Sequence, residues 1–582
     1  MSPTCGPATL NDSALLAGAV TVSPLPGSRD ATPQTQISFA GVPASGLSVQ
    51  SVVGTATGRH RGRLLAYSQG DGASFVPARS FAEGERVTVH ARVTASGRRS
   101  AIVDTFVVAR MDNISATPAT IHPGRSSEEQ SFRSRPDLHP PVVAVTSASP
   151  AVAPGDLFMA PYAGAGQPGP MILDPSGSVV WFKPLPAHVA ATNFRVQEYA
   201  GKSVLTWWEG NITLHGFGLG NDVIEDETYT KIAAVKAGNG LQADLHEFQL
   251  TPRGTALLTA YEPVKCNLSG VHGPAEGAVV DGVVQEIDVA TGLVRMQWTS
   301  LDHVGLAESY EPMRTFNVLA YPYDYFHVNS IDPLAEGGMF VSSRNTWAFY
   351  DVEPRSERIA WQVGGKHSTF SEGPGARTAF QHDPRLLPNG TISVFDNGAS
   401  PTIHPQSRGI VLNVNAQSRS ATLVSQLIHV PSLIAKSQGN MQALPNGDWL
   451  LDFGQLADVS EFSSQGAMLF DAHLPANVES YRAFRFAWEG HPAHGPSFAY
   501  AAGAGSGTVY ASWNGATQVA AWRVLAGRSP TTLTAVAQVP RSGFETAVAL
   551  PAGVVGPDVQ VQALDGAGNV LGASSVASES GV

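Results

Sequence analysis

Between Thr21 and Val108 the chain alternates apolar and polar residues in short runs, as in Gln36-Ile-Ser-Phe39 and Arg86-Val-Thr-Val-His-Ala-Arg-Val93, with Gly and Pro between them. A period of two turns one face of each run to a core and the other to water, so these runs predict strands, and strands this short joined by turns predict a small β-sandwich. From Thr117 to Pro154 a Pro- and Ser-rich stretch that includes Arg133-Ser-Arg-Pro-Asp-Leu-His-Pro-Pro141 loses this periodicity and reads as a linker. Beyond it the pattern changes to compact apolar runs that each follow a glycine.

Those runs repeat. Lys202-Ser-Val-Leu-Thr-Trp-Trp208, Thr255-Ala-Leu-Leu-Thr-Ala-Tyr261, Met339-Phe-Val-Ser-Ser343, Thr391-Ile-Ser-Val-Phe395, Asp448-Trp-Leu-Leu-Asp-Phe453 and Thr508-Val-Tyr-Ala-Ser512 lie behind Gly201, Gly254, Gly337, Gly390, Gly447 and Gly507, spaced 53, 83, 53, 57 and 60 residues apart. Between them, an Asp-containing turn leads into a strand ending in tryptophan, as from Asp174 to Trp181, Asp288 to Trp298, Asp351 to Trp361 and Asp471 to Trp488. Two hairpins per period of about 55 residues make a four-stranded sheet that cannot bury both faces alone and must stack on its neighbours around an axis. The expectation is an all-β chain with a six-bladed β-propeller, the 83-residue interval carrying an insertion. Innermost strands are expected near Asn193, His246, His327, His382, Asn440 and His494, with Leu157–Trp181 supplying the outer strands of the last blade. The expected division is a sandwich over 1–116, a linker over 117–154, the propeller over 155–526 and a small C-terminal β-unit over 527–582 that includes Val559-Gln-Val-Gln-Ala563.

Composition narrows the functional classes. Only 14% of the 582 residues are charged while Gly numbers 59 and Pro 41, which suits strands and turns better than amphipathic helices. The net charge of -12 is spread without a Lys/Arg cluster, so no nucleic-acid partner is expected. Apolar runs such as Ala14–Val20 fall well short of the roughly 20 residues a membrane helix needs, so no membrane span is expected. The chain starts without a basic segment followed by an apolar one, which fits either a cytoplasmic protein or an extracellular or cell-envelope protein whose leader has been removed. Cys5 and Cys266 match no metal motif; a bridge between them would tether the N-terminal tail to the propeller, and two buried thiols are the alternative.

Candidate chemistry follows from the repeat. Asn193, His246, His327, His382 and Asn440 lie 8, 8, 10, 8 and 7 residues before their glycines, and the innermost strand of a blade lines the central channel, so these side chains should converge at one mouth of it. Seven residues after the glycines stand Trp208, Tyr261, Arg344, Asn397, Gly454 and Asn514, among which Arg344 is the single cation. Asn329 follows His327 by two and shares its face. A lone histidine is more often a hydrogen-bonded structural residue, but three at matched positions argue for a shared site. Three imidazoles could bind a metal, yet a guanidinium beside it would repel the cation and no matched carboxylate offsets that, whereas Arg, His and Asn all donate to an oxyanion. An anion without metal or other cofactor is therefore the expected ligand, with Asn193 and Asn440 completing the ring. His246-Glu-Phe-Gln-Leu250 lacks the second histidine of a zinc-protease helix, no phosphate loop or nucleophile elbow occurs, and Gly164-Ala-Gly-Gln-Pro-Gly169 is a loop with no helix after it.

Five ordered segments, Asp244-Leu-His-Glu-Phe248, Tyr325-Phe-His-Val-Asn-Ser330, Ser342-Ser-Arg-Asn-Thr346, Phe380-Gln-His-Asp-Pro-Arg385 and Ser437-Gln-Gly-Asn-Met-Gln442, resemble arylsulfotransferase motifs, in particular those of the branch found in actinobacteria and fungi. The resemblance runs from about Gly155 to Val524. It implies sulfuryl transfer from an aryl sulfate to a phenolic acceptor without nucleotide or metal, by a ping-pong route through a sulfohistidine. In that resemblance His382 matches the nucleophile, and His246, His327, Asn329 and Arg344 match the groups that hold and activate the sulfuryl oxygens. The domain before the propeller and the loops between motifs differ from the enterobacterial enzymes. A non-enzymatic propeller holding an anionic or sugar-like ligand, and a hydrolytic sulfatase using the same residues, are the alternatives.

Overall fold

The computed structural model describes residues 5–11, 20–95, 97–113, 115–119, 125–313, 321–335, 337–502, 507–552 and 558–578, so the apolar run at Ala14–Val20 lies almost wholly outside the described residues. Among these, every regular element is a strand or a three-residue 3-10 turn, and the chain is all-β. No described helix is long and apolar enough to cross a membrane.

The alternating N-terminal runs form two four-stranded sheets, one built on Ile37–Ala40 and Gly72–Pro77, the other on Leu47–Gly54, Arg86–Ala95 and Arg98–Val107. Their inward residues, among them Ile37, Phe39, Val87, Val89, Ile102 and Phe106, share one core. Asp104 stands on that same core face, fully buried, and neither of its carboxylate oxygens makes a well-formed hydrogen bond. Burial pushes its carboxyl up to about 7 from 3.8. The folded chain therefore keeps a proton that the unfolded chain releases, so this group's contribution is fully present below the unfolded pKa and is lost as pH rises through about 7. Asp104→Leu is expected to stabilise the sandwich at pH 8, by about 4 kcal/mol at most, and to leave it little changed at pH 4. Thermal unfolding of both proteins at the two pH values checks this; equal midpoints at pH 8 would exclude it.

The turn glycines do what the repeat requires. Gly201, Gly254, Gly337, Gly390 and Gly447 have φ of 75°, 75°, 91°, 82° and 90°, where a side chain is strained, and each closes a hairpin between the first two of four antiparallel strands, to which Ser371–Glu372 adds a fifth, parallel strand in the sheet of Gly390. The five sheets begin with Ala190–Tyr199, Phe248–Leu250, Val328–Pro333, His382–Leu386 and Asn440–Ala443. Trp181, Trp298 and Trp361 lie on the fourth, outermost strands, as the second pattern predicts. A sixth sheet runs Phe484–Phe486, Asp156–Met159, Met171–Leu173, Val179–Phe182, so the early segment supplies three strands and the late one supplies the first. First strands touch in order from sheet to sheet, and Phe484–Phe486 touches both Ala190–Tyr199 and Trp449–Asp452 of the fifth sheet.

Several sequence expectations fail here. Gly507 is no turn glycine: it starts the strand Gly507–Ser512, faces the ring of Tyr500 where a Cβ has no room, and pairs with Ser497–Ala502 and Glu545–Ala549. His494 lies outside any strand, and Trp488 follows the last first-strand instead of ending an outer one. The C-terminal unit begins at Ser497, because Val509, Ala511, Trp522, Val524, Val559 and Val561 share one core, and a boundary at 526/527 would cut the strand Ala521–Gly527. The expected linker is partly built in as well: Ala144–Ala148 adds a fifth strand beside Met468–His473, and Leu138 is fully buried.

The N-terminal sheets are fixed to the second of the six sheets. Ser38 Oγ, Ser74 Oγ and Tyr67 OH all donate to the carbonyl of Val294, at 2.6, 2.9 and 3.2 Å. Cys5 and Cys266 are joined by a disulfide across 261 residues.

Candidate functional site

A cavity of about 1290 Å³ opens where the first strands of the sheets begin. Irregular backbone aims the side chains there. The pairing register shifts between Thr192 and Arg195, Val328 and Ser330, and His382 and Arg385, and at the same places Asn193, His327 and Asp383 take φ of 55°, 56° and 56°. Such bulges rotate a side chain out of the normal alternation. The result brings His246, His327, His382 and Arg344 onto one cavity wall.

The three imidazoles have different partners. His246 Nδ1 lies 2.5 Å from Asp244 Oδ2, and His327 Nδ1 lies 2.5 Å from Asp324 Oδ2. His382 Nδ1 instead faces two neutral acceptors, Asn397 Oδ1 at 2.7 Å and the Phe380 carbonyl at 3.0 Å. The backbone N–H of Gln438 points at His382 Nε2 from 3.3 Å. The rings of His246 and His327 are perpendicular with centroids 4.9 Å apart, and Tyr481 stands 5.4 Å from His246 and 6.4 Å from His382. Arg344 donates to Asn345 Oδ1 at 2.9 Å and the Lys436 carbonyl at 3.1 Å, with its guanidinium 4.7 Å over the Phe380 ring.

Electrostatics separate the rings further. Burial, and then the Arg344 charge, hold His382 well below the usual histidine range. Burial also lowers His246, with Asp244 opposing it. Asp244 is itself held by the Gly218 N–H at 2.6 Å and the Thr259 hydroxyl at 3.1 Å.

The asparagines expected to touch the ligand do not line the cavity, and this corrects their expected role. Asn193 Nδ2 donates to the Leu245 carbonyl, Asn329 Nδ2 to the Gln381 carbonyl and Asn440 Nδ2 to the Ala483 carbonyl, at 2.7, 2.7 and 2.9 Å. Each acceptor immediately precedes a residue of the next sheet: the cavity residues His246 and His382 for the first two, and Phe484, which opens the sixth first-strand, for the third. These amides clamp neighbouring sheets at fixed height. Glu247 is fully buried among Arg195, Arg385 and Arg482, and the last two also pair with Asp383.

Sequence reasoning missed Asp244, Asp324, Gln438, Tyr481 and Arg482. Asp244 and Asp324 stand two and three residues before their histidines, a spacing that was available as a signal. Tyr481 and Arg482 precede the sixth first-strand, which has no glycine hairpin after it because its partner comes from the start of the chain. Among the described residues no group of three or more His, Cys, Asp and Glu is arranged to hold a metal ion.

Fold and cavity define an all-β protein whose pocket holds, among the described residues, the differently partnered imidazoles of His246, His327 and His382 together with the guanidinium of Arg344. Residues 195–474 match the model of the arylsulfotransferase (ASST) family. No curated protein matches the sequence. Among solved structures the chain is similar to a protein of unknown function from Bacteroides caccae, at 13% identity over 57% of this chain and 98% of that one with a TM-score of 0.35. It is also similar to an auxiliary nutrient binding protein from Bacteroides ovatus, at 10% identity over 83% and 93% with a TM-score of 0.28. Virginiamycin B lyase from Staphylococcus aureus is similar at 8% identity over 63% and 94%, again with a TM-score of 0.28.

Proposed function

We propose that the six sheets close into a six-bladed propeller, and that the cavity at its axis transfers a sulfuryl group from an aryl sulfate to a phenol without nucleotide or metal. The observation that carries this reading is the convergence of His246, His327, His382 and Arg344 on one cavity wall. The match over residues 195–474 supports the same chemistry.

In the proposed first half-reaction the Nε2 lone pair of His382 forms a bond to sulfur as the bond from sulfur to the aryl oxygen breaks. The electron pair leaves on that oxygen, which takes a proton from His246 or His327. Arg344 faces the charge on the sulfuryl oxygens. In the second half, an acceptor phenol gives its proton back to the same imidazole, its oxygen attacks sulfur, and the N–S bond breaks to restore His382. Phenolate, with a pKa near 10, leaves with comparable ease in both directions, so no external energy source is required. The Cys5–Cys266 bridge supports a place in an oxidising compartment outside the cytoplasm.

Incubation with a chromogenic aryl sulfate, with and without a second phenol, tests the reading. Release of the chromophore that depends on the phenol, with the phenol recovered as its sulfate, is expected. Release at the same rate without phenol would make the protein a hydrolase, and no release would leave a binding protein. The dyads of His246 and His327 supply the proton, so His246→Ala and His327→Ala should cost about 10² to 10⁴ in rate with phenyl sulfate and much less with 4-nitrophenyl sulfate, whose leaving group needs little protonation. Equal losses on the two donors would remove both histidines from proton transfer.

A further inference from the structure

The geometry points to Asn397 as the positioning residue that makes His382, and not its two neighbours, the nucleophile. This rests on the sulfotransferase reading above and adds to it what selects one imidazole among three.

A neutral imidazole carries its proton on one nitrogen. His382 Nδ1 has acceptors on two sides, Asn397 Oδ1 at 2.7 Å and the Phe380 carbonyl at 3.0 Å, so it must be the donor. The orientation of the Asn397 amide is fixed independently, because its Nδ2 donates to the carbonyls of Ala435 at 3.1 Å and Gln438 at 2.9 Å. Its oxygen therefore faces the ring. The lone pair lies on Nε2, where the Gln438 N–H meets it at 3.3 Å. Asn397 thus touches both His382 and the residue whose amide stands over the reactive nitrogen.

The choice of amide over carboxylate has a chemical consequence. Asp244 Oδ2, at 2.5 Å from His246 Nδ1, opposes the lowering that burial imposes on that imidazole, and Asp324 Oδ2 stands at the same distance from His327 Nδ1. An imidazolium has no lone pair and cannot attack sulfur. The uncharged amide orients His382 without stabilising the cation. Facing His382 are Arg344, His246, Arg482 and the phenol of Tyr481, while the Asp383 carboxylate turns away to Arg385 at 2.5 Å. Among the described residues no carboxylate makes a hydrogen bond or ion pair with the ring, so a cation there would be uncompensated.

Two variants of Asn397 and one measurement on protein with Asn397 intact test this. Asn397→Asp introduces the missing charge, and the acid limb of kcat/KM for aryl sulfate should move up by at least about one pH unit, with activity returning at high pH. Asn397→Ala should lower kcat by about 100-fold at every pH and change the donor KM by less than about threefold, as expected of a group that orients the nucleophile without binding substrate. In the unaltered protein labelled with 15N-histidine, with the His382 signal assigned by its loss in His382→Ala, His382 should be the Nδ1–H tautomer at pH 7. An unshifted profile in folded Asn397→Asp, or His382 observed as the Nε2–H tautomer or as imidazolium, would overturn the assignment. The labelled-protein measurement decides the role of Asn397 even if its variants do not fold. Should the protein turn over no aryl sulfate at all, the sulfotransferase reading fails, and the tautomer still reports whether Asn397 holds the ring as described.

Discussion

His382→Ala is expected to abolish consumption of aryl sulfate, with or without an acceptor phenol. The Asp-paired rings of His246 and His327 are held by their Nδ1 atoms and cannot move an Nε2 to the place His382 leaves. A lost nucleophile removes the covalent route altogether, whereas a lost proton donor leaves it slow. Protein quenched during turnover should carry one sulfuryl adduct on His382, stable in base and labile in acid. The check is peptide mass analysis under alkaline conditions together with donor-consumption rates of the variant. An adduct on His246 or His327, or near-normal turnover by His382→Ala, would reverse the roles assigned to the three rings.

The sequence made some of this visible and hid the rest, for physical reasons. Gly201, Gly254, Gly337, Gly390 and Gly447 were readable because a left-handed turn admits few other residues, and the histidines 8 to 10 residues before three of them were readable by counting back from those turns. The sixth sheet was hidden because its first strand, Phe484–Phe486, pairs with Asp156–Met159 from the opposite end of the chain and so needs no hairpin glycine. That gap let Gly507, a strand glycine packed on Tyr500, stand in for it. The asparagines misled because spacing locates a residue at a strand start and says nothing about which way a bulge turns its amide. Asn193 and Asn329 reach the neighbouring backbone instead of the cavity. Asn397 was equally visible by position, but its importance comes from the two carbonyls that fix its oxygen toward His382, and those belong to residues about 40 positions away.

The second large effect is expected at Glu247. Its carboxylate is fully buried and meets Arg195 at 2.7 Å, Arg482 at 3.0 Å and Arg385 as well, and these arginines hold it far below the usual carboxylate range against the cost of burial. Glu247→Ala would leave three guanidinium groups in the interior with only Asp383 and, for Arg385, Asp332 at 3.7 Å as close carboxylates among the described residues, and a buried charge stripped of its partner costs about 3–5 kcal/mol. The loss should reach the cavity, because Arg482 also donates to Asn193 Oδ1 at 3.0 Å and to the Asn329 carbonyl at 2.9 Å, two points of the clamps that set His246 and His382. The pH dependence has a definite sign. A carboxyl whose folded pKa is depressed adds stability that is present above the unfolded pKa, near 4.5, and is lost as pH falls through the folded value. Glu247→Ala should therefore be much less stable than the unaltered protein at pH 7, and the difference should narrow as the pH falls below about 4. Urea unfolding of both proteins at pH 7 and pH 3.5 measures it. A variant as stable as the parent at pH 7 would mean that the arginines find other partners and that the buried charge of Glu247 does not hold the first strands of the sheets together.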